Sequence, residues 1–111
     1  MAAIVRVDEH DLPWFEYRDA AHGDGPSPVR VKALTHGTAD APSVQFVEYA
    51  ARHEDPVHHH DTGEVMVIIE GELWLEGCAN GAGSIVYIPR DLDYALRAGD
   101  DGARFFRIVV D

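Results

Sequence analysis

The chain has 111 residues, 46% of them apolar, which fits one folded domain built on one core. Asp and Glu outnumber Lys and Arg by 20 to 9. The formal net charge of −11 excludes nucleic acid and an anionic membrane surface as expected partners, since both need clustered basic side chains. It leaves an anionic substrate open, because a bound metal cation reverses the local field.

The N-terminus lacks the long apolar core of a signal peptide, and no apolar run reaches membrane-spanning length. Cys78 is the only cysteine, so an internal disulfide is impossible. These features read as a soluble cytoplasmic protein. Residues 4–7 are a short apolar start, and residues 12–17, with Pro13, Trp14 and Phe15, suit an irregular cap over the core. Residues 19–28, DAAHGDGPSP, predict a loop. VRVKAL at 29–34 alternates apolar and basic, as a half-exposed strand does, and SVQFVEYA at 43–50 is rich in β-formers. On parity alone, either Phe46 and Glu48 or Gln45 and Val47 look inward.

EVMVIIE at 64–70 is followed by Gly71 and the alternating ELWLE at 72–76. The pair predicts two antiparallel strands about a tight turn at Glu70 and Gly71. Residues 77–83, GCANGAG, predict a second turn, and SIVYI at 84–88 a strand ended by Pro89. Strands at 94–97 and 103–110, with GDDG between them as a turn, complete the set. No stretch shows sustained helical periodicity, so the pattern predicts an all-β barrel or sandwich. Glu64, Met66 and Ile68 share one strand face, and Val65, Val67 and Ile69 share the other. Both faces are apolar enough to be covered. The barrel interior covers one. The other calls for a second subunit, the preferred reading, or for the N-terminal segment of the same chain.

The chemistry gathers in PVHHHDTGEV, residues 56–65. Side chains two apart on a strand project together, so His58 and His60 form a pair and His59 faces away. Glu64, at the start of the next strand, can add a carboxylate. Two histidines and a carboxylate are the ligand triad of non-haem Fe(II) enzymes, and the same set suits Zn, Ni, Co or Mn. The competing reading is a solvated, histidine-rich loop. Met66, Ile68 and Leu96 are expected to line a cavity or to be plain core. His10, His22, His36 and His53 read as solvated loop residues.

The spacing His58-x-His60-x₃-Glu64-x₆-Gly71 resembles the first motif of the cupin family, G-x₅-H-x-H-x₃,₄-E-x₆-G. The second cupin motif, G-x₅-P-x-G-x₂-H-x₃-N, is matched at Gly83 and Pro89. The resemblance runs from Ser43 onward. LPW, VRVKAL and GSIVYIP are further similar to anti-sigma-factor-type cupins and to dioxygenase cupins that cleave ketones and diketones. It implies a cupin-type antiparallel β-barrel, a double-stranded β-helix of jelly-roll type, in a single domain over 1–111. Residues 1–28 would form an arm and loop and residues 29–111 the barrel, in a homodimer with the metal inside. Arg52 and Asp91 stand where the motifs carry glycine, Ala98 where they carry asparagine, and Tyr94 where they carry the metal-binding histidine. Tyr94 is thus a fourth ligand, an acid or base acting on substrate, or a wall of a site without metal.

The expected function is a mononuclear metal enzyme acting on a small carbonyl or oxygenated metabolite. It would be a dioxygenase with Fe(II), the first choice, or an isomerase, cyclase or lyase with Zn, Ni or Mn. His58, His60, Glu64 and Tyr94 would be the ligands, and Tyr94 and Glu64 the catalytic groups. The alternative is a non-catalytic module binding a small molecule or a metal.

Overall fold

Runs of β-branched and aromatic residues, broken by Gly and Pro, give eight antiparallel strands in the computed structural model, which describes residues 4–17, 26–38 and 41–110. The predicted loop at 19–28 lies largely outside the described residues. The strands are β1 (Phe15–Tyr17), β2 (Val29–Thr38), β3 (Ala41–Tyr49), β4 (Glu54–His58), β5 (Gly63–Leu75), β6 (Cys78–Gly81), β7 (Ile85–Ile88) and β8 (Tyr94–Val110). They pair in the order β1-β2-β3-β8-β5-β6, with β4 added on β8 and β7 on β5. The helical content of the described residues is one short 3-10 turn, Glu9–Asp11. Among them no helix is long and apolar enough to cross a membrane.

Two predicted turns prove to be bends inside long strands. β5 runs through Glu70 and Gly71 without reversing, and β8 runs through 99–102. Gly71 lies opposite Ala103 and Leu73 opposite Ala98, so residues 99–102 bulge out against Glu72 alone. Glycine is required at this corner. A Cβ on Gly71, whose φ is +73°, would lie 2.1 Å from the Gly102 carbonyl oxygen. The tight hairpin lies instead at Glu76 and Gly77, with φ of 51° and 75°, between paired Leu75 and Cys78. Two successive positive φ values suit the right-handed twist of the flanking strands. Exposed Cys78 therefore opens a strand rather than lying in a turn.

The bent β5 and β8 wrap the sheet around a core in which Ile68, Leu73 and Phe105 are at most 1% exposed. Each such side chain contributes about 1.5–3 kcal/mol on burial. Gln45, Val47 and Tyr49 line the interior cavity, while Phe46 and Glu48 belong to the outer face. There Trp14 packs 5.5 Å from Phe46, which stacks on Phe106 at 4.8 Å. Lys32 reaches over the Trp14 ring and pairs with Glu9 at 2.8 Å. The N-terminal segment thus covers the outer face near β3. Towards β5 and β7 that face stays open, with Ile85 72% and Tyr87 58% exposed.

Candidate functional site

β4 ends at His58, which lies in register with Tyr94 at the start of β8. The chain then turns through 59–62 and enters β5, placing Glu64 on the same inward face as Met66. His58, His60, Glu64 and Tyr94 consequently line one cavity of about 420 Å³. The His58 ring centre is 4.9 Å from that of His60 and 4.6 Å from that of Tyr94. His59 turns away and meets Asp93 at the exposed rim, 3.1 Å apart.

Glu64 is 1% exposed, and its two oxygens differ. Oε2 accepts a hydrogen bond from Arg107 Nε at 2.6 Å, and Arg107 Nη1 donates to Gln45 Oε1 at 3.1 Å. Burial works against the Arg107 charge, but the hydrogen bond and negative charge of Glu64 outweigh it and hold the guanidinium above its ordinary range. Oε1 lies 3.1 Å from His60 Nε2, yet the two are not aligned for a hydrogen bond, and buried Oε1 accepts none. A buried carboxylate oxygen without a donor is costly unless a cation or donor meets it.

Both histidine rings face the cavity and can offer it a nitrogen lone pair. His58 Nδ1 is 2.8 Å from the Pro56 carbonyl oxygen. A carbonyl only accepts, so Nδ1 carries the hydrogen, and in the neutral tautomer that this bond selects Nε2 holds the lone pair. That arrangement orients metal-ligating histidines generally. Burial holds His60 below the usual histidine range, more than the Glu64 carboxylate raises it. Burial, then the charge of Glu64, pushes the Tyr94 phenol well above its usual range. Among the described residues no three His, Cys, Asp or Glu side chains close on one point as they stand. The donor types fit a divalent cation all the same: an orphaned carboxylate oxygen, a neutral imidazole beside it, and a second imidazole with its Nε2 lone pair free.

Arg107, Tyr49 and Asp55 also line the cavity, and the sequence pattern singled out none of the three; Gln45 lines it too, on one of the two parities left open for β3. Arg107 shares its parity with Phe105, but Arg104 shares the opposite parity with Phe106, so alternation could not say which arginine points inward. Met66 and Leu96 line the cavity as expected, whereas Ile68 belongs to the core. His53, expected to be solvated, has a side chain 8% exposed and pairs with Asp55 at 2.8 Å. His10 is exposed, as expected.

Arg52 and Asp91 have φ of 61° and 62°, a backbone state that favours glycine. They occupy the two motif positions where cupins carry glycine, so the backbone keeps the shape although the residue differs. The structure aligns with an RmlC-like cupin from Ralstonia eutropha at TM-score 0.80, covering 98% of this chain and 69% of that one at 19% identity. The fold is that of the cupins. The polyketide cyclase RemF from Streptomyces resistomycificus aligns with it at TM-score 0.77 over 96% of this chain and 79% of that one, with 20% identity. In sequence, the dimethylsulfoniopropionate lyase DddW of Ruegeria pomeroyi is 28% identical over 106 residues, 89% of this chain and 67% of that protein. No family model matches the chain.

Proposed function

We propose that this cupin is a metal-dependent enzyme that moves a proton on a small oxygenated metabolite, in an elimination, isomerisation or ring closure. The observation that carries this reading is buried Glu64 Oε1, without a hydrogen bond, 3.1 Å from His60 Nε2 in a cavity that His58 also lines. His58, His60 and Glu64 would hold the ion, which when bound supplies Lewis acidity towards a substrate oxygen. Arg107 and Gln45 hold Glu64 by its other oxygen and so fix the direction of Oε1. Tyr94 keeps a proton on Oη and serves as the proton donor. Met66, Leu96 and Phe105 give the cavity apolar walls that limit water.

The relatives named above are a lyase and a cyclase, which supports proton-transfer chemistry over the dioxygenase reaction expected with Fe(II). The test is elemental analysis of natively purified protein beside His58→Ala. About one divalent ion per chain is expected in the first and a near-complete loss in the second. An ion-free protein that also fails to take up Fe(II), Mn, Ni or Zn would end this reading.

A second reading, a metal-free small-molecule module, is favoured by the Arg107–Glu64 pair at 2.6 Å, which already compensates the carboxylate. On that reading a chelator leaves thermal stability unchanged. Either way, we propose that two copies pair through the open outer face that carries Ile85 and Tyr87.

A further inference from the structure

The carboxylate offered to a metal ion is already shared. Glu64 Oε2 accepts a hydrogen bond from Arg107 Nε at 2.6 Å, while buried Oε1, which accepts none, is the oxygen left for an ion. Arg107 is fixed in this position from both sides. It stands in register with Gln45 on β3 and with Met66 on β5, and its Nη1 donates to Gln45 Oε1 at 3.1 Å. Among the described residues that line the cavity, it is the one Arg or Lys. An ion on Oε1 would therefore face a carboxylate whose charge a guanidinium has neutralised, with a fixed positive charge on the other oxygen of the same group. His58 and His60 bring no negative charge to offset it.

We infer that Arg107 is a positioning residue that acts through Glu64: its charge lowers the affinity of the site for a divalent ion and raises that of the loaded site for a ligand that carries or develops negative charge. Two positive charges on one carboxylate repel, which weakens ion binding. An anion that joins them relieves the repulsion, since ion and guanidinium both attract it. This suits a reaction in which removal of a proton leaves negative charge on the substrate. A partner that served only to orient Glu64 would do the reverse, because its loss weakens ion binding by about 10–100-fold. The sign of the change separates the two roles. Asp55, the other carboxylate among the lining residues, is the same in every comparison below and cancels. The effect rests on the proposed function for the identity of the ligands, and on the Arg107–Glu64 pair for its sign.

The experiment compares the full wild-type chain, stripped of metal by dialysis, with two variants. Arg107→Gln removes the charge but keeps an N–H donor for Glu64, and Arg107→Lys keeps the charge. Co(II) affinity is measured by competition with a chromophoric chelator. Azide is then titrated into each Co(II)-loaded protein and followed in the visible spectrum. Arg107→Gln is expected to bind Co(II) about 10-fold more tightly, and azide about 10-fold more weakly, than the wild type. Arg107→Lys should stay within about 3-fold of the wild type on both. A variant that is merely damaged loses on both counts. Co(II) affinity in Arg107→Gln equal to or below that of the wild type, azide affinity not lowered by it, or Arg107→Lys behaving like Arg107→Gln would overturn the inference. So would a wild-type spectrum unmoved by about 100 mM azide, a result that decides even if a variant fails to fold. Co(II) uptake by Arg107→Gln alone would end the metalloenzyme reading of the native chain and leave the effect of Arg107 standing. Co(II) bound equally well by wild type and Arg107→Gln would end this inference alone, and no uptake by any of the three would end both.

Discussion

Replacing Arg107 with methionine asks how the barrel carries a carboxylate in its interior. Methionine keeps much of the apolar stem but removes the charge and the donors to Glu64 and Gln45. Glu64, 1% exposed, then keeps the whole desolvation cost of its charge with neither oxygen compensated. Breaking one side of a buried ion pair costs about 3–5 kcal/mol. The Arg107 side chain is 21% exposed, so some solvent screening applies, and the lower end, about 3 kcal/mol, is expected. For a chain of this length about 1 kcal/mol corresponds to roughly 4 °C, so the melting temperature should fall by about 12 °C. Reversible thermal melts followed by circular dichroism at pH 7 measure it. Two further arms locate the cause. Adding Glu64→Gln to Arg107→Met removes the orphaned charge and should recover most of the loss. A divalent ion at about 100 times its dissociation constant should return about 2.7 kcal/mol, because it would take over compensation of Glu64. A loss below about 1 kcal/mol would refute the claim that Arg107 compensates a buried charge.

Three other outcomes follow from the same structure. Burial pushes the Glu48 carboxyl up, but hydrogen bonds from Arg30 and Arg104 outweigh it and hold it below its ordinary value of 4.5. The unfolded chain therefore takes up the proton first as pH falls, so this stabilisation is complete above about 4.5 and fades as pH drops through the lowered value. Glu48→Gln should cost about 1 kcal/mol in urea denaturation at pH 7 and clearly less at about pH 3; an equal cost at both would contradict it. Arg52→Gly should raise the melting temperature by up to about 4 °C, since relief of a left-handed backbone exceeds the added chain entropy, and a fall would be the contrary result. Ile85→Asp should convert a dimer to a monomer in light scattering after size exclusion, and a monomeric wild type would dismiss the proposed pairing.

Much of the fold and part of the site were legible because strands carry their own ruler. Alternation and turn residues placed most strands, and two-residue spacing separated His58 and His60 from His59. The cupin motifs added the barrel, and even the departures at Arg52 and Asp91 preserved the glycine-like backbone. The reading failed where a glycine had two possible meanings. Gly71 looked like a hairpin turn, but its positive φ serves a bend at which β5 and β8 touch backbone to backbone. Nothing local distinguishes these uses, because the contact that demands glycine comes from Gly102, far along the chain.

The sequence by itself determined which side chains share a face and which chemistry they bring: two imidazoles and a carboxylate together, with a phenol where a further ligand is usual. That follows from the pleat, a purely local property. Only the tertiary structure decided which face turns inward. On β3 and β8 both parities carry apolar residues, so burial could have taken either one. The pairing of β8 with both β3 and β5 settled it, sending Arg107 to Glu64 and Arg104 to Glu48 on the opposite side of the sheet. The pairing of β4 with β8 likewise set Asp55 against Tyr49 in the same cavity.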